Sequence, residues 1–144
     1  MNYNFRKCRK EDYEFIYNLK ETSFRWYIEE IYGWDDEKQA EWTHREMEEH
    51  LEDMNIIQYE GEDAGLFTFY YDEAGDACVG MFAILPEYRG KGIGTKILTQ
   101  MIEENQDVRI YLKTYKENRA RFLYQKVGFV KYEETETHWL MEKK

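Results

Sequence analysis

Leu85-Pro86-Glu87-Tyr88-Arg89-Gly90-Lys91-Gly92-Ile93-Gly94-Thr95-Lys96-Ile97-Leu98 is the stretch on which the reading of this chain turns. Before it, Ala77–Leu85 is a strand-forming run that Pro86 stops. After it, Ile93, Ile97, Leu98, Met101 and Ile102 fall on one face of a helix. Glycines 90, 92 and 94 therefore lie between a strand and an amphipathic helix. Glycine permits the torsions of such a turn and lets a ligand approach the main chain. The N–H groups of a first helical turn have no partner within the helix and, with the dipole behind them, attract an anion. Arg89 and Lys91 add positive charge there, in a chain whose net charge is −10. The spacing fits neither GxGxxG, because Thr95 stands three after Gly92, nor GxxxxGK[ST]. On these residues alone, an anion-binding loop and a tight turn without a ligand are both open.

Working outward, residues 3–8 read as a first strand, and from Glu11 the spacing of Phe15, Ile16 and Leu19 becomes helical. A second short helix is predicted over Ser23–Tyr32 and ends at Gly33. Asp35 caps a third, reaching about Asp53, with Ala40, Met47, Leu51 and Met54 as its inner stripe. Asn55–Glu60 and Leu66–Asp72 form a hairpin around the turn Gly61–Gly65, and Glu73–Asp76 turns into the strand before the glycine loop. Beyond the loop helix come a strand at Val108–Lys113, a helix at Glu117–Lys126, and strands at Phe129–Glu134 and Thr137–Met141. The class is mixed α/β, with a βαβ unit around the glycine loop.

The 144 residues suit a single domain, 1–144, and contain one proline and no Gly/Ser-rich linker. Cys8 and Cys78 read as reduced thiols, and the N-terminus lacks the apolar stretch of a signal peptide. No apolar run is long enough to span a membrane, so a cytoplasmic protein without a membrane partner is expected. The negative charge disfavours a nucleic-acid partner held through phosphates; it suits a cationic ligand, or serves solubility alone. His44, His50 and His138 match no metal-ligand spacing, and no metal is expected. Exposed strand edges near the C-terminus allow a homodimer.

A second constellation is Asn118-Arg119-Ala120-Arg121-Phe122-Leu123-Tyr124-Gln125-Lys126-Val127-Gly128-Phe129. Ala120, Tyr124 and Val127 share one face of a short helix that Gly128 can end. This segment resembles the NxxAxxxYxxxGF pattern of the GCN5-related N-acetyltransferases, and Arg89 to Gly94 resembles that family's [RQ]xxGx[GA] signature. The resemblance covers roughly Ala77 to the C-terminus. It implies the GNAT-type acyl-CoA N-acyltransferase fold, a central mixed but mostly antiparallel sheet flanked by helices. It further implies acetyl-CoA as cosubstrate, with its pyrophosphate on the backbone amides of Arg89, Gly90, Lys91, Gly92, Ile93, Gly94 and Thr95. The pantetheine arm would run along the strand at Phe82, Ala83 and Ile84, one of whose amides polarises the thioester carbonyl. Asn118 would contact the pantetheine or adenosine end.

Tyr124 has a chemical reason to matter. An amine attacking a thioester expels a thiolate, which leaves more readily if a phenol, protonated at neutral pH, donates to it. By resemblance Tyr124 is that general acid; out of context it would be one packed tyrosine among thirteen. The segment after the first helix lines the acceptor side in the family. There Trp26, Tyr27 and Trp34, with Glu29 and Glu30, combine aromatics and carboxylates that suit a cationic amine, small metabolite or peptide. The same residues also read as packing and a solvated helix face. No general base is identifiable, since Gly80–Leu85 lacks a carboxylate. Direct transfer to an amine in a ternary complex is the expected activity; a non-catalytic acyl-CoA sensor is the alternative.

Overall fold

The structure is a computed structural model that describes residues 3–144. Among the described residues seven strands form one sheet in the order β1-β2-β3-β4-β5-β7-β6, with four α-helices. They are β1 Tyr3–Lys7, α1 Tyr13–Tyr32, α2 Asp36–His50, β2 Met54–Tyr59, β3 Glu62–Tyr71, β4 Ala77–Ile84, α3 Ile93–Glu104, β5 Ile110–Tyr115, α4 Ala120–Lys126, β6 Val130–Glu134 and β7 His138–Lys143. The β4–β5 pair is parallel, joined through α3, whereas β1–β2, β2–β3, β5–β7 and β6–β7 are antiparallel. The expected mixed, mostly antiparallel sheet is what forms. By contact the chain divides into two compact units, one of Met1–Thr68 with Met81–Lys91 and one of Phe69–Gly80 with Gly92–Lys144.

In the first unit, α1 is a single helix of 20 residues where two were predicted. The chain does not break before Ser23, because the Thr22 hydroxyl donates back to the carbonyls of Asn18 and Leu19 and stays within the helix. Asp35 caps α2 as expected, its Oδ1 accepting from the N–H groups of Glu37 (3.0 Å) and Lys38 (3.2 Å). The inner stripe of α2 differs from the prediction: Gln39, Thr43 and Met47 are buried, and Ala40 is only partly so. Thr43 turns inward because its hydroxyl is satisfied by the Gln39 carbonyl at 2.7 Å. Ile16, Leu19, Met47, Met54, Ile56 and Leu66 make the core of this unit.

The hairpin between β2 and β3 turns at Glu60 and Gly61, both at positive φ, so it is tighter than the predicted Gly61–Gly65. Gly65 belongs to β3, where a Cβ would stand 2.3 Å from the Ala83 carbonyl oxygen. This glycine serves a close approach of two strands, not a turn. Gly65→Ala should therefore destabilise the protein by about 1–3 kcal/mol, as overpacking does. Urea denaturation of the variant checks this, and an unchanged midpoint would contradict it.

Arg6 of β1 ties the same unit together electrostatically. Its guanidinium donates two hydrogen bonds to Asp12, at 2.8 and 2.9 Å, and two to Asp63, at 2.8 and 3.2 Å. Those bonds hold both carboxyls below their ordinary range, against the opposing effect of burial. The unfolded chain then binds more protons than the folded one, so stability present at neutral pH is lost as pH falls from about 4 through the folded values. Denaturation midpoints taken from pH 7 to pH 3 should drop in the wild type. The drop should be shallower in Arg6→Ala, which begins from a lower value.

In the second unit, α3 buries Ile93, Gly94, Ile97, Leu98 and Met101. Ile110, Leu112, Tyr124, Phe129 and Met141 are buried as well. Arg109 joins the turn before β4 to β7, bonding Glu142 at 2.6 Å and Asp76 at 3.4 Å. β6 is an edge strand, exposed along its length, and carries a register shift between Lys131 and Glu133. Cys8 is buried and Cys78 partly so, and both are free thiols. Among the described residues no helix is long and apolar enough to cross a membrane.

Candidate active site

The first unit supplies the end of β4 and the start of the loop. Phe82 packs edge-on to Phe67 with centroids 5.1 Å apart, and Ala83 is buried. The Leu85 N–H donates to the Ala64 carbonyl at 2.8 Å, holding the end of β4 against β3. Pro86–Tyr88 then makes one turn of 3-10 helix, stabilised by Tyr88 N–H to Leu85 O at 3.0 Å and Arg89 N–H to Pro86 O at 3.2 Å. The Arg89 side chain folds back: Nε donates to the Ile84 carbonyl at 2.7 Å, and Nη2 to Ser23 Oγ at 3.2 Å. Its guanidinium braces the loop entrance against β4 and α1. Lys91 Nζ lies 5.8 Å from the centre of the Tyr59 ring.

Gly90 and Gly92 both take left-handed torsions, φ 78° and 79°. At such angles any other residue is strained, which is why glycines stand at these two points. Gly92 is the N-cap of α3 and its carbonyl accepts from the Lys96 N–H at 3.1 Å, so the helix is closed from its first turn. No side chain caps it. The N–H groups of Ile93, Gly94 and Thr95 thus have no acceptor among the described residues. Such donors, in line with the helix dipole, favour an anion.

In the second unit α4 ends in a Schellman motif. The Phe129 N–H donates to the Tyr124 carbonyl at 2.9 Å, and the Gly128 N–H to the Gln125 carbonyl at 3.1 Å, with Gly128 at φ 111°. The rings of Phe129 and Tyr124 meet edge-on at 6.0 Å, the apolar contact that accompanies this cap. The Gly128-Phe129 pair therefore positions Tyr124 through both backbone and ring. Tyr124 is buried, and that burial pushes its phenol above the ordinary range. No described residue hydrogen-bonds the hydroxyl.

Asn118 departs from the pattern that singled it out. It stands two residues before Ala120, where NxxA requires three, so Glu117 occupies the place of the asparagine. The Asn118 Oδ1 accepts from the Ala120 N–H at 2.9 Å and initiates α4. That local role also explains why the helix begins at Ala120 and not at Glu117.

On the proposed acceptor side, Trp26 is exposed and meets Tyr27 edge-on at 5.2 Å. Glu30 is exposed, while Glu29 and Trp34 are joined through a residue the sequence reading passed over. Arg25 bonds Glu29 at 2.9 Å and also bonds Glu21, and its guanidinium lies 5.1 Å from the centre of the Trp34 ring. The Glu21-Arg25-Glu29 spacing of four was the available signal. Trp34 Nε1 donates to Asp36 Oδ1 at 2.8 Å, and the Tyr17 hydroxyl to the same oxygen at 3.0 Å. His44 stacks on Tyr13 at 3.9 Å, and among the described residues no group of His, Cys, Asp or Glu could hold a metal.

A strand, a glycine loop at positive φ, a helix and a parallel return strand make a βαβ unit whose helix start suits an anion. The acetyltransferase (GNAT) family matches residues 13–129, and the chain belongs to that family. Among solved structures, the PaiA N-acetyltransferase of Thermoplasma acidophilum, crystallised in complex with coenzyme A, is 21% identical with a TM-score of 0.72, covering 100% of this chain and 99% of that one. An N-acetyltransferase of Staphylococcus aureus Mu50 is 18% identical, TM-score 0.75, over 97% of this chain and 100% of its own. Ard1 of Thermoplasma volcanium is 19% identical, TM-score 0.68, over 99% and 97%. These likenesses are of fold. A comparison with curated proteins found no match.

Proposed function

We propose that the chain, acting as one cytoplasmic domain, transfers the acetyl group of acetyl-CoA to an amine by direct attack in a ternary complex. The observation that carries this reading is the uncapped start of α3 behind two left-handed glycines, with first-turn amides that have no acceptor among the described residues. Those donors fit the pyrophosphate of coenzyme A, which brings the thioester when bound. The coenzyme A in the Thermoplasma acidophilum structure agrees with that choice of ligand. Arg89 is assigned to holding the loop in shape, since its guanidinium is engaged by Ile84 and Ser23.

The chemistry of this chain's own residues follows from that placement. Phe82, Ala83 and Ile84 offer strand backbone to the pantetheine arm, and an amide among them polarises the thioester carbonyl. Tyr124 donates its phenolic proton to the departing sulfur. Its burial, which raises the phenol above the ordinary range, keeps it protonated throughout the neutral region. The acceptor is a cationic amine, small or peptidic, drawn by the net charge of −10. Initial velocities measured over a grid of acetyl-CoA and amine concentrations test the direct route. Intersecting double-reciprocal lines are expected, and parallel lines, the mark of a covalent acyl-enzyme, would overturn it.

A further inference from the structure

His138 is positioned more firmly than a surface histidine needs to be. It is the first residue of β7 and lies directly opposite Tyr115, the last of β5. The turn before it is pinned by Thr135, whose hydroxyl oxygen accepts from the N–H groups of His138 at 3.0 Å and Thr137 at 3.2 Å. The Thr135 N–H in turn donates to the His138 carbonyl at 2.8 Å. On the ring, Nδ1 and the Thr137 hydroxyl share a hydrogen bond of 2.8 Å, and the imidazole centre lies 4.3 Å from that of the Tyr115 ring. The side chain is half-buried, and Nε2 has no hydrogen-bond partner among the described residues. A ring fixed through one nitrogen with the other left open is the arrangement of an acid–base histidine.

Within the second unit this ring stands at the edge where a ligand is expected. In a parallel βαβ unit the helix starts at the edge where the strands end, and ligands bind there. α3 starts at Ile93 and β5 ends at Tyr115. The Tyr115 carbonyl then accepts from the Asn118 N–H at 3.0 Å, opening the turn into α4, which carries Tyr124. One strand end therefore has His138 beside it and leads into the helix of Tyr124. Burial, and then the Lys113 ammonium on β5, hold the imidazole below its ordinary range, so the ring is neutral at pH 7. Glu136 of the turn is exposed, and Glu134 of β6 is occupied by Lys116 and Lys131. We propose that His138 is the general base of the transfer, its Nε2 taking a proton from the acceptor's ammonium while Nδ1–H donates to Thr137. This rests on the acetyltransferase reading given above. The freed lone pair forms the N–C bond, the C–S bond breaks, and the sulfur leaves with the phenolic proton of Tyr124. The nitrogen's second proton restores Tyr124, and the imidazolium gives its proton to solvent.

The wild type itself carries one test. Thiol release is measured with the fastest acceptor among ethylamine, ethylenediamine and a lysine-containing peptide. A base must be unprotonated to act, so kcat/KM for the amine should fall about tenfold per pH unit below the pKa of that base. The limb should lie under the ordinary imidazole value of about 6.5 and coincide with the NMR titration of the His138 ring, assigned by its loss in His138→Gln. A limb displaced from the ring's own titration by more than about one pH unit would overturn the proposal. The variant carries the second test. His138→Gln keeps a side chain of similar length that can hydrogen-bond, and should retain its circular dichroism spectrum and its acetyl-CoA affinity. Its kcat should drop about 100-fold and the acid limb should disappear, a change that a merely structural role would not produce. A folded variant with wild-type kcat, or one that keeps the limb, would overturn the assignment. Failure of the acetyltransferase reading would appear differently, as no thiol release by the wild type with any amine, and would take this proposal with it.

Discussion

Tyr124→Phe should lower kcat by about 100- to 1,000-fold while leaving acetyl-CoA affinity within about threefold. The magnitude is that of losing a positioned general acid. The selectivity follows from the surroundings. Tyr124 is set by the Schellman cap of α4 and by the edge-on Phe129 ring, and neither depends on the hydroxyl. Phenylalanine therefore keeps the packing and removes only the proton donor. A donor must be protonated to act, so its limb of the pH profile falls as pH rises through its own pKa. Because burial raises that pKa, the alkaline fall of kcat in the wild type should lie above the ordinary phenol value of about 10. Stopped-flow or steady-state thiol release across pH checks both statements. A kcat within threefold of wild type in Tyr124→Phe would remove the residue from the chemistry.

Gly92→Asp should raise the Kd for acetyl-CoA at least about 100-fold, close to 2.7 kcal/mol, and leave the protein folded. Aspartate tolerates the left-handed torsion of this position, φ 79°, better than most residues, so the strain is modest. Its carboxylate would stand at the N-cap of α3, beside the amides of Ile93, Gly94 and Thr95 that await an anion. Charge at a helix N-terminus favours the helix itself while repelling a pyrophosphate from the same donors. A variant that melts near the wild-type temperature but no longer binds acetyl-CoA would separate the ligand loop from the tight-turn reading, which the residues alone leave open. Unchanged affinity would return the loop to a structural role.

Much of the cofactor side was legible because the chemistry there is local. Three glycines, the stop at Pro86 and the periodicity of α3 are all readable between Pro86 and Ile102, and two of those glycines hold the positive φ expected of them. The Gly128 stop of α4 was legible for the same reason. Gly65 was not: its place in β3 depends on Ala83, eighteen positions away, whose carbonyl leaves no room for a Cβ. The polar inner face of α2 was hidden because the Thr43 hydroxyl meets its acceptor, the Gln39 backbone carbonyl, only once the helix has formed. Asn118 was drawn in by a pattern one residue out of register, and its side chain turned out to begin α4. On the acceptor side the sequence offered the aromatics and carboxylates, but the spatial link through Arg25 required the turn at Gly33.

The central claim is most directly tested by following coenzyme A thiol release from acetyl-CoA with purified protein and a panel of monoamines, diamines and basic peptides. The account predicts amine-dependent, saturable release. Acetyl-CoA bound tightly in calorimetry, with no release above the amine-free rate for any acceptor, would contradict it.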